Sequence, residues 1–207
     1  MRNRIKTLAL DLLIQHGYRG VSFGDLATAL DTTRANIHYH FGNKQSLVEE
    51  VLIDYIDETK KVMETVWNDP DMPFIEKIER NVAFSRKRYL KYNRPNKEGR
   101  PWSLIARMRQ DSNVLTQKSH DALQDFAAHL HASIGHALET AIERKEFSRS
   151  MPVDDVALQL FSIANSAAPI TQDSGNFDRL EQLYLGFARI VGRAFGTRET
   201  APDGAER

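Results

Sequence analysis

The sequence contains no cysteine in its 207 residues. This absence excludes a disulfide framework, zinc or iron–sulfur sites with cysteine ligands, and a thiol nucleophile. The sequence also lacks any stretch of about 18 uninterrupted apolar residues, the length that a membrane-spanning helix requires. No apolar run of the signal-peptide type follows Met1. We therefore expect a soluble, cytoplasmic protein with no membrane partner.

An excess of charge of either sign is missing as well, because 28 Lys and Arg residues balance 28 Asp and Glu residues. A protein that binds nucleic acid normally has a basic surface, so the overall balance argues against such a partner. The distribution along the chain weakens that objection. Residues 1 to 48 contain six basic and three acidic side chains, a local net charge of +3. Because phosphate binding depends on the local field, DNA remains a candidate partner.

Apolar residues recur at the three-and-four spacing of amphipathic helices, and alternation typical of strands is missing. We predict an all-α fold of about nine helices. Three short helices are predicted over residues 3–16, 23–30 and 34–39, where Gly17 ends the first and Ser22 and Thr33 cap the others. The remaining helices are predicted over residues 44–66, 74–92, 102–109, 115–142, 152–169 and 177–195. A loop with two prolines is expected over residues 93–101.

The second and third predicted helices are joined by three residues and have the dimensions of a helix-turn-helix. Every exposed side chain expected on the third helix can form hydrogen bonds: Thr33, Arg34, Asn36, His38 and Tyr39. A helix in the major groove reads base edges near its N-terminus, so we expect Arg34 to contact guanine and Asn36 to contact adenine. Phosphates are expected to meet Thr33, His38 and Tyr39, together with Ser22 and Lys44 at the starts of neighbouring helices.

This pattern resembles the N-terminal DNA-binding domain of the TetR/AcrR family of transcriptional regulators over residues 3 to about 52. The residues that carry the resemblance are Gly17, Tyr18, Val21, Ser22, Phe23, Asp25, Leu26, Ala27, Leu30, Thr33, Arg34, Ala35, Asn36, Ile37, Tyr39, His40, Phe41, Lys44 and Leu47. The resemblance implies a homodimeric regulator, a repressor released from a palindromic operator by a small-molecule effector. It also implies a helix-turn-helix domain over residues 1–48 and an effector-binding and dimerisation domain over residues 49–195. Residues 196–207 lack apolar anchors and are expected to form a disordered tail.

Two residues depart from the family pattern. Asp31 stands in the turn where family members commonly carry glycine, and His38 stands where they commonly carry a tyrosine that touches phosphate. Asp tolerates the left-handed backbone of such a turn less freely than Gly and adds a negative charge beside DNA. These departures keep an alternative open, a helical ligand-binding or scaffold protein that does not bind DNA.

Two further surfaces are expected in the C-terminal domain. A pocket for the effector is predicted from the aromatic, aliphatic and charged side chains of the middle helices: Tyr89, Trp102, Arg107, Phe126 and Leu130. Apolar residues spread widely around the last two long helices predict a self-associating surface. Its residues are Leu160, Ala164, Ala168, Leu183, Phe187 and Val191. In TetR-like proteins the corresponding helices form a dimeric four-helix bundle.

Other side-chain patterns carry weaker signals. The histidines at positions 120, 129, 131 and 136 do not share one helix face at metal-ligand spacing, so we expect no metal site. No nucleophile elbow, glycine-rich phosphate loop or zinc-protease helix occurs, so we expect neither an enzyme nor a cofactor. The basic run over residues 80–100 has two interpretations, a patch that binds nucleic acid or an anionic ligand, or a solvated helix face.

Overall fold

The computed structural model describes residues 1–94 and 99–197. Over these residues the chain forms ten α-helices and one short 3-10 turn, Ser112–Val114, with no strand beyond a single isolated bridge. The helices are α1 (Arg2–His16), α2 (Phe23–Ala29), α3 (Arg34–Phe41), α4 (Lys44–Trp67), α5 (Phe74–Tyr92), α6 (Leu104–Gln110), α7 (Gln117–Glu143), α8 (Val153–Asn165), α9 (Ala167–Ser174) and α10 (Asp178–Phe195). The predicted all-α fold is confirmed.

The chain forms two compact units. The first comprises Met1–Lys61 with Arg88–Ala127, and the second Val62–Lys87 with Ala128–Arg207. The domain boundary predicted after residue 48 lies inside α4, because this helix runs from Lys44 to Trp67. The compact unit that contains the short N-terminal helices is larger than residues 1–48, because it also includes α6.

The first three helices enclose a small apolar core. Ile5 and Leu13 of α1, Leu26 of α2 and Ile37 of α3 have no exposed surface. Burying one aliphatic side chain of this size contributes about 1.5–3 kcal/mol, which offsets the poor intrinsic stability of helices only seven or eight residues long. This core fixes α3 against α2 and leaves the other face of α3 exposed.

A buried lysine closes α4 at its C-terminal end. The Lys77 side chain is 2% exposed, and its ammonium donates to the carbonyls of Val66 at 3.1 Å, Trp67 at 3.0 Å and Asp69. Burial lowers the pKa of Lys77. The last carbonyls of a helix have no intrahelical donors, so three ammonium N–H groups are a suitable cap. Nothing in the spacing of Lys77 along the sequence distinguished it from a surface lysine.

One predicted helix is two helices in the structure. The segment predicted as one helix over residues 152–169 ends at Asn165, and Ser166 joins it to α9. Pro169 has no N–H to donate to the carbonyl four residues back, and its ring would collide with that carbonyl. In the first turn of α9 the missing N–H is tolerated, because the first N–H groups of a helix have no partner there.

Three further observations concern the ends and the surface. Gly196 forms a bridge with Phe147, and the Thr197 N–H donates to the Glu146 carbonyl at 3.1 Å. The rest of the predicted disordered tail lies outside the described residues, as do residues 95–98 of the predicted loop. None of the helices in the described ranges has the length and apolar character needed to cross a membrane.

Candidate nucleic-acid interface

The two helix starts in the helix-turn-helix are closed by side chains. Ser22 Oγ accepts from the Asp25 N–H at 3.2 Å, and Asp25 Oδ2 accepts from the Ser22 N–H and hydroxyl at 2.8 and 2.7 Å. These bonds, with the nearby positive charges of Arg34 and Lys44, lower the pKa of Asp25. Thr33 Oγ1 accepts from the Asn36 N–H at 3.1 Å. Both predicted caps are thus confirmed, and the Ser22 hydroxyl donates within the chain.

The second helix of the pair, α3, presents a polar surface. Ile37 and Phe41 are buried, whereas Arg34, His38 and Tyr39 are exposed, Tyr39 to 85%. This helix therefore has the geometry that a reading helix in a major groove requires, one apolar anchoring face and one polar outer face.

Two of the residues predicted to contact DNA, one at a base and one at a phosphate, also have partners within the chain. Asn36 Nδ2 donates to Thr32 Oγ1 at 2.9 Å, and Asn36 is half-buried. His38 Nδ1 lies 2.8 Å from the Gly42 carbonyl, and its ring lies edge-on to Phe23. A carbonyl only accepts, so His38 Nδ1 carries a proton and donates this bond within the chain. The Nδ1–H is therefore not free for the predicted phosphate contact while this bond is present.

The start of α4 combines a backbone cap with a half-buried cation. Asn43 Oδ1 accepts from the Ser46 N–H at 2.9 Å, a cap that the sequence patterns did not reveal. Lys44 Nζ lies 4.2 Å from the centre of the Tyr18 ring. Burial lowers the pKa of Lys44, and the carboxylates of Asp111 and Asp25 partly oppose this shift. An ammonium held over an aromatic ring at a helix N-terminus is well placed to attract a phosphate.

The turn between α1 and α2 is held by the end of α6. Asp111 Oδ2 accepts from the Tyr18 N–H at 2.7 Å. Gly17 has φ +70°, and a Cβ at this position would lie 2.6 Å from Asp111 Oδ2 and 2.7 Å from Arg107 Nε. Both the backbone conformation and the space therefore require glycine. No pattern in the sequence pointed to Asp111 as part of this region.

A second attachment joins α4 to the start of α7. Glu49 accepts from the Thr116 hydroxyl at 2.6 Å and forms an ion pair with Lys118 at 3.1 Å. These hydrogen bonds lower the pKa of Glu49. Gln45 Nε2 also donates to the Val114 carbonyl at 3.4 Å. Residues 111–118 thus contact the N-terminal helices at several points.

The residues predicted to line an effector pocket are only partly brought together. Tyr89 and Trp102 are buried and meet edge to face, with ring centres 6.3 Å apart, and Phe126 is buried in the same compact unit. The Arg107 guanidinium lies instead against Gly17. Leu130 is buried in the second unit. A cleft of about 390 Å³ lies between α1 and α4, but none of these five residues lines it.

Most residues predicted for a dimer surface belong to the core of a single chain. Leu160, Ala168, Phe187 and Val191 are at most 8% exposed. Ala164 is half-buried, and Leu183 is 41% exposed. The large apolar residues that remain exposed on α8 and α10 are Leu158, Leu183 and Ile190. One part of the wide apolar arc of α10 therefore faces the core and another part is exposed. The spacing of the apolar residues alone does not separate the two parts.

Several basic side chains in residues 80–100 have partners in the chain. They are Arg80 with Glu76, Arg86 with Glu181, Arg88 with Thr59, and Lys91 with Asp11. Burial also lowers the pKa of Arg88 to about 10. These contacts favour a structural helix face over a phosphate-binding patch. Lys97, which belongs to the predicted run, lies outside the described residues.

The histidines of α7 contact single neighbours. His129 Nε2 lies 3.1 Å from Glu64 Oε1, and the His131 ring lies 5.4 Å from the Phe161 ring. Across residues 1–94 and 99–197, no three His, Asp or Glu side chains are grouped as a metal site needs.

Comparison with known proteins identifies the N-terminal helices. Residues 5–51 match the family model described as bacterial regulatory proteins, tetR family, a range that spans most of α1, all of α2 and α3, and the start of α4. The N-terminal helices thus match the TetR family. The helix-turn-helix of α2 and α3, with its Ser22 and Thr33 caps, lies within the range that matches the family model.

Curated relatives resemble this chain over less than half of its length. It is 30% identical over 60 residues to the HTH-type transcriptional regulator QacR of Staphylococcus aureus, covering 29% of this chain and 31% of that protein. It is 28% identical over 79 residues to the uncharacterized HTH-type transcriptional regulator YvaF of Bacillus subtilis, covering 38% of this chain and 41% of that protein. The matches thus span less than half the length of these relatives.

The likeness in fold extends further along the chain. A TetR-family transcriptional regulator from Agrobacterium tumefaciens matches with a TM-score of 0.76 at 16% sequence identity, covering 95% of this chain and 97% of that one. At this identity the match shows a shared fold, and the roles of individual side chains depend on the local geometry described above.

Proposed function

We propose that this chain is a cytoplasmic, homodimeric transcriptional regulator of the TetR family that binds a palindromic operator in double-stranded DNA. The observation that carries the proposal is the exposed polar face of α3, anchored by Ile37 and Phe41 within a helix-turn-helix that matches the family. A surface of this kind fits a major groove, and two such units related by a twofold axis fit a palindrome. The proposal includes no catalytic step.

Within the operator, seven side chains of the domain have a proposed partner. Arg34 pairs with guanine and Asn36 with adenine, the bidentate contacts that these side chains prefer. Thr33 and Tyr39 contact phosphates, as does Lys44 at the start of α4. Ser22 and His38 also contact phosphates, but each must first give up a bond within the chain. The Ser22 hydroxyl donates to Asp25, and His38 Nδ1 contacts the Gly42 carbonyl.

The proposed dimer forms through α8 and α10. Leu158 of α8 and Leu183 and Ile190 of α10 leave apolar surface exposed, and Ala164 of α8 is half-buried. Exposed apolar residues grouped on two helices favour self-association. A twofold dimer doubles the local net charge of +3 in residues 1 to 48 that faces DNA.

Regulation is proposed to follow from a small-molecule effector in the C-terminal helices, around the buried pair Tyr89 and Trp102. An effector that binds more tightly to a conformation with unsuitable spacing of the two α3 helices lowers operator affinity, as expected for a repressor. Helix α4 contributes residues to both compact units, and Asp111 holds the turn before α2. These two elements are the proposed route between effector and DNA.

Selection of duplexes from a random library with the purified full-length protein tests the proposal. We expect an enriched palindrome, with half-sites centred one helical turn apart or a multiple of it. Replacing Arg34 or Asn36 by Ala is expected to weaken operator binding by about 1–3 kcal/mol and to relax sequence preference. Enrichment of no palindrome, with no DNA binding in gel shifts, contradicts the proposal.

The alternative is a helical ligand-binding or scaffold protein that does not bind DNA. Asp31, with φ +49° and a negative charge in the helix-turn-helix, and the internally bonded His38 favour it. The same selection separates the two functions, because a scaffold protein enriches no sequence. Retention of one effector by wild-type protein, without any DNA binding, supports the alternative.

A further inference from the structure

Arg34 lies against a glycine of the neighbouring helix. A Cβ added to Gly24 would lie 2.5 Å from Arg34 Nη2, 2.9 Å from Nε and 3.0 Å from Cζ. Real Cβ contacts are longer than this, so the guanidinium occupies the place that any side chain at residue 24 would take. Gly24 is the second residue of α2, and Arg34 is the first residue of α3.

A neighbouring carboxylate attracts the guanidinium. The charge of Arg34 contributes to the lowered pKa of Asp25, so the two groups are close enough to attract each other. Asp25 itself is fixed by its bonds with Ser22. The guanidinium therefore lies against Gly24 and is attracted by the Asp25 carboxylate, although Arg34 is an exposed residue.

We infer that Gly24 is a positioning residue for the proposed DNA-binding activity, because its missing side chain leaves the place in which the Arg34 guanidinium lies for reading guanine. A bidentate contact requires both N–H groups of the fork to be aimed at one base. A free arginine has many rotamers and must lose that freedom on binding. The inference rests on the proposed function, since it concerns how that function reads one base pair.

The variant Gly24→Ala tests this inference without weakening the fold. Alanine is the better helix former, and the displaced group is the mobile end of an exposed side chain. The melting temperature of Gly24→Ala is expected to be at least that of the wild type. Gly135→Ala is the matched control, because Gly135 lies inside α7 and a Cβ there meets nothing within 4 Å.

The experiment is duplex selection with wild type, Gly24→Ala, Arg34→Ala, the double variant and Gly135→Ala. We expect the wild type to prefer guanine at one position of each half-site by at least about fivefold, the lower end for a bidentate contact. Gly24→Ala is expected to lose most of that preference while keeping the preferences at other positions. In the Arg34→Ala background, Gly24→Ala is expected to change no preference more than twofold, and Gly135→Ala is expected to match the wild type.

Each other outcome overturns a defined part of the proposal. If the wild type enriches a palindrome and Gly24→Ala keeps the guanine preference, or no such preference depends on Arg34, the Gly24 inference is wrong and the proposed function stands. If Gly24→Ala alters base preference equally with and without Arg34, the effect does not act through the guanidinium and the inference is also wrong. If the wild type enriches no sequence, both the proposed function and the inference are wrong.

Discussion

Asp111, at the end of α6, accepts a 2.7 Å hydrogen bond from the backbone N–H of Tyr18, in the turn that precedes the helix-turn-helix. The Tyr18 ring in turn lies 4.2 Å below the ammonium of Lys44. A carboxylate on α6 therefore fixes the backbone of a residue whose ring contacts the cation at the start of α4. The arrangement links residues 93 positions apart in the sequence.

Replacing Asp111 by Ala is expected to destabilise this turn and to weaken DNA binding. Loss of a part-buried hydrogen bond to a charged group destabilises a protein by about 1.5–3 kcal/mol. Urea unfolding measures the stability, and titration of an operator duplex measures the affinity. Asp111→Asn is the control, because its amide oxygen still accepts from the Tyr18 N–H, and its loss is expected to be smaller. Equal stability and affinity for Asp111→Ala and wild type contradict the role given to this bond.

Local patterns predicted the helices and their caps because both depend on residues close together in the sequence. Ser22 and Thr33 accept from N–H groups three residues ahead, so each cap is decided within the first turn of its helix. The extra helix boundary at Ser166 also has a local cause, Pro169. Its ring disrupts the turn before it, so α8 ends at Asn165 and not at the proline itself. Helix starts and stops are thus the part of the fold that sequence reasoning reaches most directly.

Contacts between distant segments were not accessible in the same way. Asp111 and Lys77 act through tertiary neighbours, and neither stands in a motif. The wide apolar arc of α10 predicted more than one contact surface, but only burial shows that Phe187 belongs to the core and Ile190 to the outside. Periodicity gives the face of a helix, whereas the partner of that face depends on the packing of the other helices.

Lys44 is expected to contribute a phosphate contact that is independent of the base sequence. Lys44→Ala should weaken binding to all duplexes and reduce the slope of log affinity against log salt by about one. Binding isotherms at several salt concentrations, with the selected operator and a scrambled duplex, measure both effects. Lys87→Ala is the matched control, since Lys87 is an exposed lysine of α5 outside the helix-turn-helix. An unchanged slope for Lys44→Ala contradicts a phosphate contact.

Asp31 is expected to weaken DNA binding through its charge and to strain the turn through its backbone. Its φ is +49°, a conformation that glycine adopts without steric conflict. Asp31→Asn removes the charge while keeping a side chain of similar size, so it should raise operator affinity and leave stability nearly unchanged. Asp31→Gly should raise affinity and also stabilise the domain, by less than about 1–2 kcal/mol. Gel shifts and thermal unfolding separate the two effects, and lower affinity for both variants contradicts the interpretation.

Glu49 is expected to make the stability depend on acid pH. The Thr116 hydroxyl and Lys118 hold the pKa of the folded carboxyl below its unfolded value, so unfolding takes up a proton once that carboxyl can be protonated. The stabilisation is therefore present above the unfolded pKa of about 4.3 and is lost as the pH falls through the folded pKa. Glu49→Gln should be less stable than wild type at pH 7, by about 0.5–1 kcal/mol for so accessible a pair. Urea unfolding should show this difference shrinking below pH 4, and a constant difference across pH contradicts the link.

The exposed apolar residues of α8 and α10 are expected to hold the dimer together. Ile190 is 70% exposed, and placing a charge there should oppose burial of this surface against a second chain. Ile190→Asp should therefore sediment as a monomer at concentrations where the wild type is a dimer, with a circular dichroism spectrum that remains helical. Leu90→Asp is the control, because Leu90 is a similarly exposed apolar residue on α5, at 53%, outside the proposed surface. Since two α3 helices must bind one palindrome together, monomeric Ile190→Asp should also bind a full operator no more tightly than a half-site. A dimeric Ile190→Asp, or a monomeric Leu90→Asp, places the interface elsewhere on the chain.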